Sequence, residues 1–106
     1  MTPPHLAAFA SCGLATVEVH GLPNVVILST GNEVVPPGQS LQHGQIFNSN
    51  ATALSSALAL RGIDAQVRHA RDSQEELHAQ IHESIQSSEL LITTGGVSVG
   101  AHDLVL

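Results

Sequence analysis

The apolar positions of the chain fall into three compact runs separated by two stretches of helical period. Val25-Val26-Ile27-Leu28 is uninterrupted and mostly β-branched, the pattern of a strand buried on both faces. Leu90-Leu91-Ile92, followed by Thr93 and Thr94, is its counterpart near the other end. Between them, Ile63 to His69 alternates, with Ile63, Ala65 and Val67 on one face. Its polar alternate positions predict a place near a sheet edge. Ser49-Asn50 predicts a helix start, and Leu54, Ala57 and Leu58 then share a face. Gly62 is placed to end that helix in the left-handed conformation. Ser73 with Glu76 predicts a capping box, after which Leu77, Ile81 and Ile85 form a stripe in a helix to about Ser87.

The flanks are weaker. Leu6 to Ala10 predicts a turn or two of helix ended by Gly13, and Ala15 to Val19 alternates as a strand would. Gly21-Leu22-Pro23 is a break and the best boundary candidate. After the first apolar run, Val34-Val35-Pro36-Pro37-Gly38 is expected to leave regular structure, because two prolines withhold backbone donors. The loop is expected to continue to Ser49, with an extended piece at Gln45-Ile46-Phe47. Strand, loop, helix, strand, helix, strand is the order that builds a parallel sheet with right-handed crossovers and helices on its faces.

Composition narrows the function. The 106 residues include three arginines, no lysine and nine acidic residues, for a formal charge of −6. A nucleic-acid binder needs a basic footprint and stacking aromatics; here the Phe/Tyr/Trp class is only Phe9 and Phe47. No nucleic-acid partner is expected. An anionic substrate has to be held by backbone N–H groups, by metal or by other polypeptide. Cys12 is the single cysteine, which fits a reducing cytoplasm. Neither a run of transmembrane length nor an export signal is present, so no membrane association is expected. Asp103-Leu104-Val105-Leu106 reads as the beginning of an element, and a larger protein is expected.

In open parallel sheets ligands bind beyond the carboxyl ends of the strands. Glu33, Asp72 and Asp103 each follow one of the three strands there, and Gly95-Gly96 lies on the same rim. Glycine turns bring backbone N–H groups close to an anion, and a carboxylate beside a phosphate suits an oxygen-ligated Mg2+. The alternatives are a plain strand-to-helix turn for the glycines and capping or solvation for the acids. Asp72, directly before a helix start, bears that alternative most heavily. His78 and His82 are four apart, but a solvated helix flank is the better reading. His102 inside the glycine loop is weak evidence for a contact. Ser11 and Cys12 have no partnered base, so no nucleophile site is expected.

Ser29-Thr30-Gly31-Asn32-Glu33, Pro37-Gly38, Gly44 to Asn50, Arg71-Asp72, and Thr94-Gly95-Gly96-Val97-Ser98-Val99-Gly100 with Asp103 follow one another in a familiar pattern. The chain resembles the molybdopterin-binding domain of the molybdopterin molybdenumtransferases, the MoeA/gephyrin E-domain family, from about Leu14 onward. Two relatives of similar fold differ in the glycine loop: one carries a TGGTG loop, the other a GGLGPT loop.

The resemblance implies an α/β fold of three α/β/α layers with a mainly parallel sheet, incomplete at the C-terminus. Residues 1–22 would be the tail of a preceding domain and linker, and 23–106 the N-terminal part of the molybdopterin-binding domain. It implies molybdenum cofactor biosynthesis: molybdate inserted into adenylylated molybdopterin, with Mg2+ required and AMP released. By resemblance Glu33, Asp72 and Asp103 match catalytic acids, with Glu33 and Asp103 also on the metal. Thr30, Gly31, Gly95, Gly96 and Ser98 match the cofactor-binding turns. A cytoplasmic homodimer in full-length form is implied, with the molybdopterin adenylyltransferase as a further partner. Two departures stand out: Asn32 replaces the family's usual aspartate, and the sequence stops after Asp103. The isolated piece is therefore expected to be inactive. The alternative is a non-catalytic molybdopterin- or nucleotide-binding or assembly module of the same fold.

Overall fold

The computed structural model describes residues 1–95. The elements are α1 (Pro3–Ser11), β1 (Val25–Thr30), β2 (Val34–Val35), β3 (Ile46–Phe47), α2 (Ser49–Ala59), β4 (Ala65–Ala70), α3 (Gln74–Ser87) and β5 (Leu90–Thr94). A three-stranded parallel sheet has the order β4-β1-β5. Its register aligns Val25 with Ala65 on one side and with Leu90 on the other.

The apolar run predicts the central strand correctly. All six residues of β1 are buried, Ile27 and Leu28 completely. Burial of successive residues on a strand means that both faces of the sheet are covered. Leu28 packs with Ala70 and with Leu77 of α3, and Ile81 and Leu91 close the cluster. From β1 the chain crosses to β4 on one side and returns to β5 on the other. Right-handed crossovers in opposite directions put α2 and α3 on opposite faces. The mixed α/β architecture with a parallel sheet is therefore as expected, and β4 lies at an edge of the described sheet.

Four local expectations are corrected. Residues 15–19 form no strand: alternation supplies a strand with faces, but not with a neighbour for its N–H and C=O groups. Val17 and Val19 remain exposed. Val34-Val35 is not loop but β2, which pairs in parallel with Ile46-Phe47 of β3. The prolines that follow limit β2 to two residues without preventing it. The N-cap of α2 is Asn48, whose Oδ1 accepts the Ala51 N–H at 3.1 Å. Of the face proposed for α2, Ala57 is exposed; Ala51 is the buried residue.

On α3 the stripe turns at its far end. Ile85 is 62% exposed while Ser84 is fully buried. At about 100° per residue, a step of eight drifts roughly 80° from Leu77, whereas a step of seven drifts only about 20°. Ser73 caps α3 through Glu76 N–H, but Glu76 does not complete the box. Its Oε1 accepts the Arg71 N–H at 3.3 Å instead.

Candidate functional site

The direction of crossover reverses about β1, so the crevice between the ends of β1 and β5 is where an open sheet leaves room for a ligand. A cleft of about 160 Å3 lies there, with Thr30 and Glu33 on one wall and Gly95 on another. Residues 46–50 form the third wall. Typical small-molecule pockets hold roughly 300–1,000 Å3, so this cleft suits one group of a larger ligand.

Each wall has a local cause. Gly31, at φ +128°, turns the chain out of β1. A Cβ at Gly31 would stand 2.8 Å from both carboxylate oxygens of Glu33, so the missing side chain is what lets that carboxylate fold back over the turn. Gly95, at φ +94°, closes β5 onto β1. A Cβ there would stand 2.5 Å from the Thr30 carbonyl oxygen and 2.7 Å from its Oγ1. No larger residue fits this approach without displacing backbone.

The third wall was not assigned to the site from sequence. Ile46 N–H donates to the Glu33 carbonyl at 2.8 Å, and Asn48 N–H to the Val35 carbonyl at 2.8 Å. This short ladder fixes the loop that carries Glu33. Asn48 Nδ2 donates to the buried Ser29 Oγ at 2.6 Å, tying the start of α2 to the end of β1. Asn48, Ser49 and Asn50 therefore bring the N-terminus of α2 to the cleft. First-turn N–H groups have no partner within the helix, and the macrodipole adds partial positive charge there. The available signal was the N-cap itself, placed just after an extended piece.

The predicted residues divide. Thr30, Glu33 and Gly95 come together at the cleft, while Gly31 lies beneath the Glu33 carboxylate without lining it. Asp72 does not line it. Its Oδ2 accepts the Asn32 N–H at 3.2 Å, and the Asp72 N–H donates to Asn32 Oδ1 at 3.2 Å. The α3 cap is supplied by Ser73, so the capping alternative for Asp72 does not hold. Gly96, Ser98 and Asp103, with His102, lie outside the described residues. His78 and His82 are both exposed, as expected of a solvated flank.

Among the described residues no three His, Cys, Asp or Glu side chains gather as metal ligands, and no arginine lines the cleft. Among the described residues, Glu33 alone provides a carboxylate in it. That is compatible with Mg2+, which takes one or two protein carboxylates and completes its shell with water and substrate phosphate. The described groups thus supply the N-terminal end of a helix, hydroxyls from Ser29 and Thr30, and one acid.

Comparisons with known proteins place the sequence and the fold among relatives. Residues 26–106 match the family model described as "Probable molybdopterin binding domain". The chain is 36% identical over 106 residues to molybdopterin molybdenumtransferase 2 of Mycobacterium tuberculosis, covering 99% of this chain and 26% of that protein. It is 36% identical to the molybdopterin molybdenumtransferase of Nostoc, over 94% of this chain and 23% of the relative. A crystal structure of the molybdopterin biosynthesis MoeA protein from Pyrococcus horikosii is similar, with a TM-score of 0.76 and 32% identity. That likeness covers 98% of this chain and 26% of the solved one. The chain thus spans about a quarter of the length of the relatives it matches. On these matches, the chain belongs to the molybdopterin-binding domain family.

Proposed function

We propose that this chain supplies part of the active site of a molybdopterin molybdenumtransferase, which inserts molybdate into adenylylated molybdopterin and releases AMP. The observation that carries the reading is the Glu33 carboxylate folded over Gly31 at the mouth of the β1/β5 crevice, on the same cleft as the N-terminus of α2. A helix N-terminus favours an oxyanion, phosphate or molybdate, and an acid beside it favours the cation that accompanies one. Glu33 and Asp103 are assigned to Mg2+, which would neutralise phosphate charge when bound. Thr30, Gly31, Gly95, Gly96 and Ser98 are assigned to the nucleotide and pterin side.

The small cleft fits a site completed by other polypeptide. We assign residues 1–22 to the end of a preceding domain and its linker, and 23–106 to the first part of the binding domain. A cytoplasmic homodimer that receives its substrate from the molybdopterin adenylyltransferase belongs to the same reading. The exposed free thiol of Cys12 suits a reducing compartment. No described helix is long and apolar enough to cross a membrane.

Glu33→Gln in the whole protein tests the assignment. Single-turnover release of AMP should fall roughly 100-fold, the scale expected for a positioned acid–base group. The melting temperature should hardly move, because Glu33 is exposed. Near-normal turnover would remove Glu33 from the catalytic role, whereas ligand binding without any turnover in the parent protein would replace the enzyme by a binding or assembly module.

A further inference from the structure

The backbone ladder between β1 and β4 ends where the site begins. Thr30 is aligned with Ala70, and Gly31 N–H still reaches the Ala70 carbonyl at 3.3 Å. The next donor, Asn32 N–H, turns instead to a side chain. It donates to Asp72 Oδ2 at 3.2 Å, while Asp72 N–H donates to Asn32 Oδ1 at 3.2 Å. Two side chains from turns 40 positions apart therefore continue the ladder by one rung.

We propose that this Asn32–Asp72 clasp holds the Gly31–Glu33 turn, so that Asp72 serves the site as a positioning residue for Glu33 and not as a ligand. The inference rests on the reading of Glu33 as the acting carboxylate. Three observations converge on it. Asp72 is absent from the cleft wall that Glu33 occupies. Its carboxylate is engaged by a main-chain donor of the residue immediately before Glu33. The amide of Asn32 makes the exchange reciprocal without adding charge.

That last point explains why asparagine suits position 32 in this chain. An aspartate there would accept the same Asp72 N–H, but it would set a second carboxylate beside the first. Like charges at such range oppose each other. The neutral side chain is therefore a component of the clasp and not a missing metal ligand.

The test compares Asp72→Ala, Asp72→Asn, Asn32→Ala and the double alanine variant in the whole protein. Hydrogen exchange at the Asn32 amide reads the clasp directly. It should quicken roughly 3- to 10-fold in Asp72→Ala, as loss of one exposed hydrogen bond supports, and return towards the parent rate in Asp72→Asn, whose amide oxygen accepts the same N–H. Molybdate-dependent AMP release should follow the same order. Both single alanine variants should lose a similar factor in kcat, and the double should lose no more than either, because each removes the same unit. Because Glu33 is assigned to Mg2+, the Mg2+ concentration for half-maximal rate should rise by a similar factor in both single alanine variants and return towards the parent value in Asp72→Asn.

A defect in Asp72→Asn equal to that of Asp72→Ala, in rate or in Mg2+ requirement, would overturn the proposal and make the charge itself the agent. So would a harmless Asn32→Ala beside a damaging Asp72→Ala. Sensitivity to Glu33→Gln without sensitivity to Asp72→Ala defeats the clasp alone. Restored exchange with turnover indifferent to both defeats the reading of Glu33.

Discussion

Residues 15–19 and 25–30 carry comparable apolar content and meet opposite fates. Val19 is 60% exposed, whereas Val26 is 2% exposed. The first segment alternates as well as many strands do; the second is flanked on both sides by strands that arrive later in the chain. What separates them is the supply of partners. Burial of β1 comes from residues 65–70 and 90–94 beside it and from α2 and α3 across its faces.

The largest expected effect breaks the buried side of this comparison. Leu28→Ala leaves a cavity among Ala70, Leu77, Ile81 and Leu91, and should cost about 2–5 kcal/mol in thermal or denaturant unfolding. Val19→Ala, measured alongside, should stay within about 0.5 kcal/mol. A similar loss in both would mean that the arm packs as tightly as the strand.

A smaller effect is expected where β1 meets β5. Gly95→Ala meets the Thr30 carbonyl and a positive φ together, so it should destabilise by about 1–3 kcal/mol. It should also weaken ligand binding at the cleft, which calorimetry with AMP and Mg2+ in the whole protein would measure. Unchanged binding would detach the glycine from the site. The smallest effect sharpens the exposed side. Removing residues 1–20 should change the unfolding free energy of this chain by less than about 1 kcal/mol, since no residue of α1 is fully buried and only Phe9 is half-buried. Leu22, whose Cδ1 lies 3.4 Å from where a Cβ on Gly62 would stand, is retained in that variant.

The parts legible in the sequence are those with a dense local signal. Val25 to Leu28 and Leu90 to Ile92 announce themselves by uninterrupted apolarity, and Gly62 by its place after a helix. Glu33 and Gly95 are expected beyond the strand ends, and both line the cleft there. Other parts depend on register, which no local window contains. The two-residue strands β2 and β3 have no period to detect, yet they fix the carbonyl of Glu33. The reciprocal hydrogen bonds of Asp72 and Asn32 have no local sequence signal, because they depend on the pairing of Thr30 with Ala70. Ser84 replaced Ile85 on the buried face through helical drift, which a repeat of four conceals.

The order of the strands also has a consequence in time. Val25 pairs with Ala65 and with Leu90, so the central strand of the sheet is the first to be synthesised and the last to be satisfied. At about 5–20 residues per second, the ribosome needs roughly 2–8 s to deliver the first neighbour and roughly 3–13 s to deliver the second. For that interval Val25-Val26-Ile27-Leu28 is a bare, uncharged, β-prone segment, the kind that pairs with copies of itself. Pro23, two residues upstream, interrupts strand growth at one end, and Gly31 does so at the other. The most buried residues of the finished domain are thus the ones a nascent chain must keep apart longest.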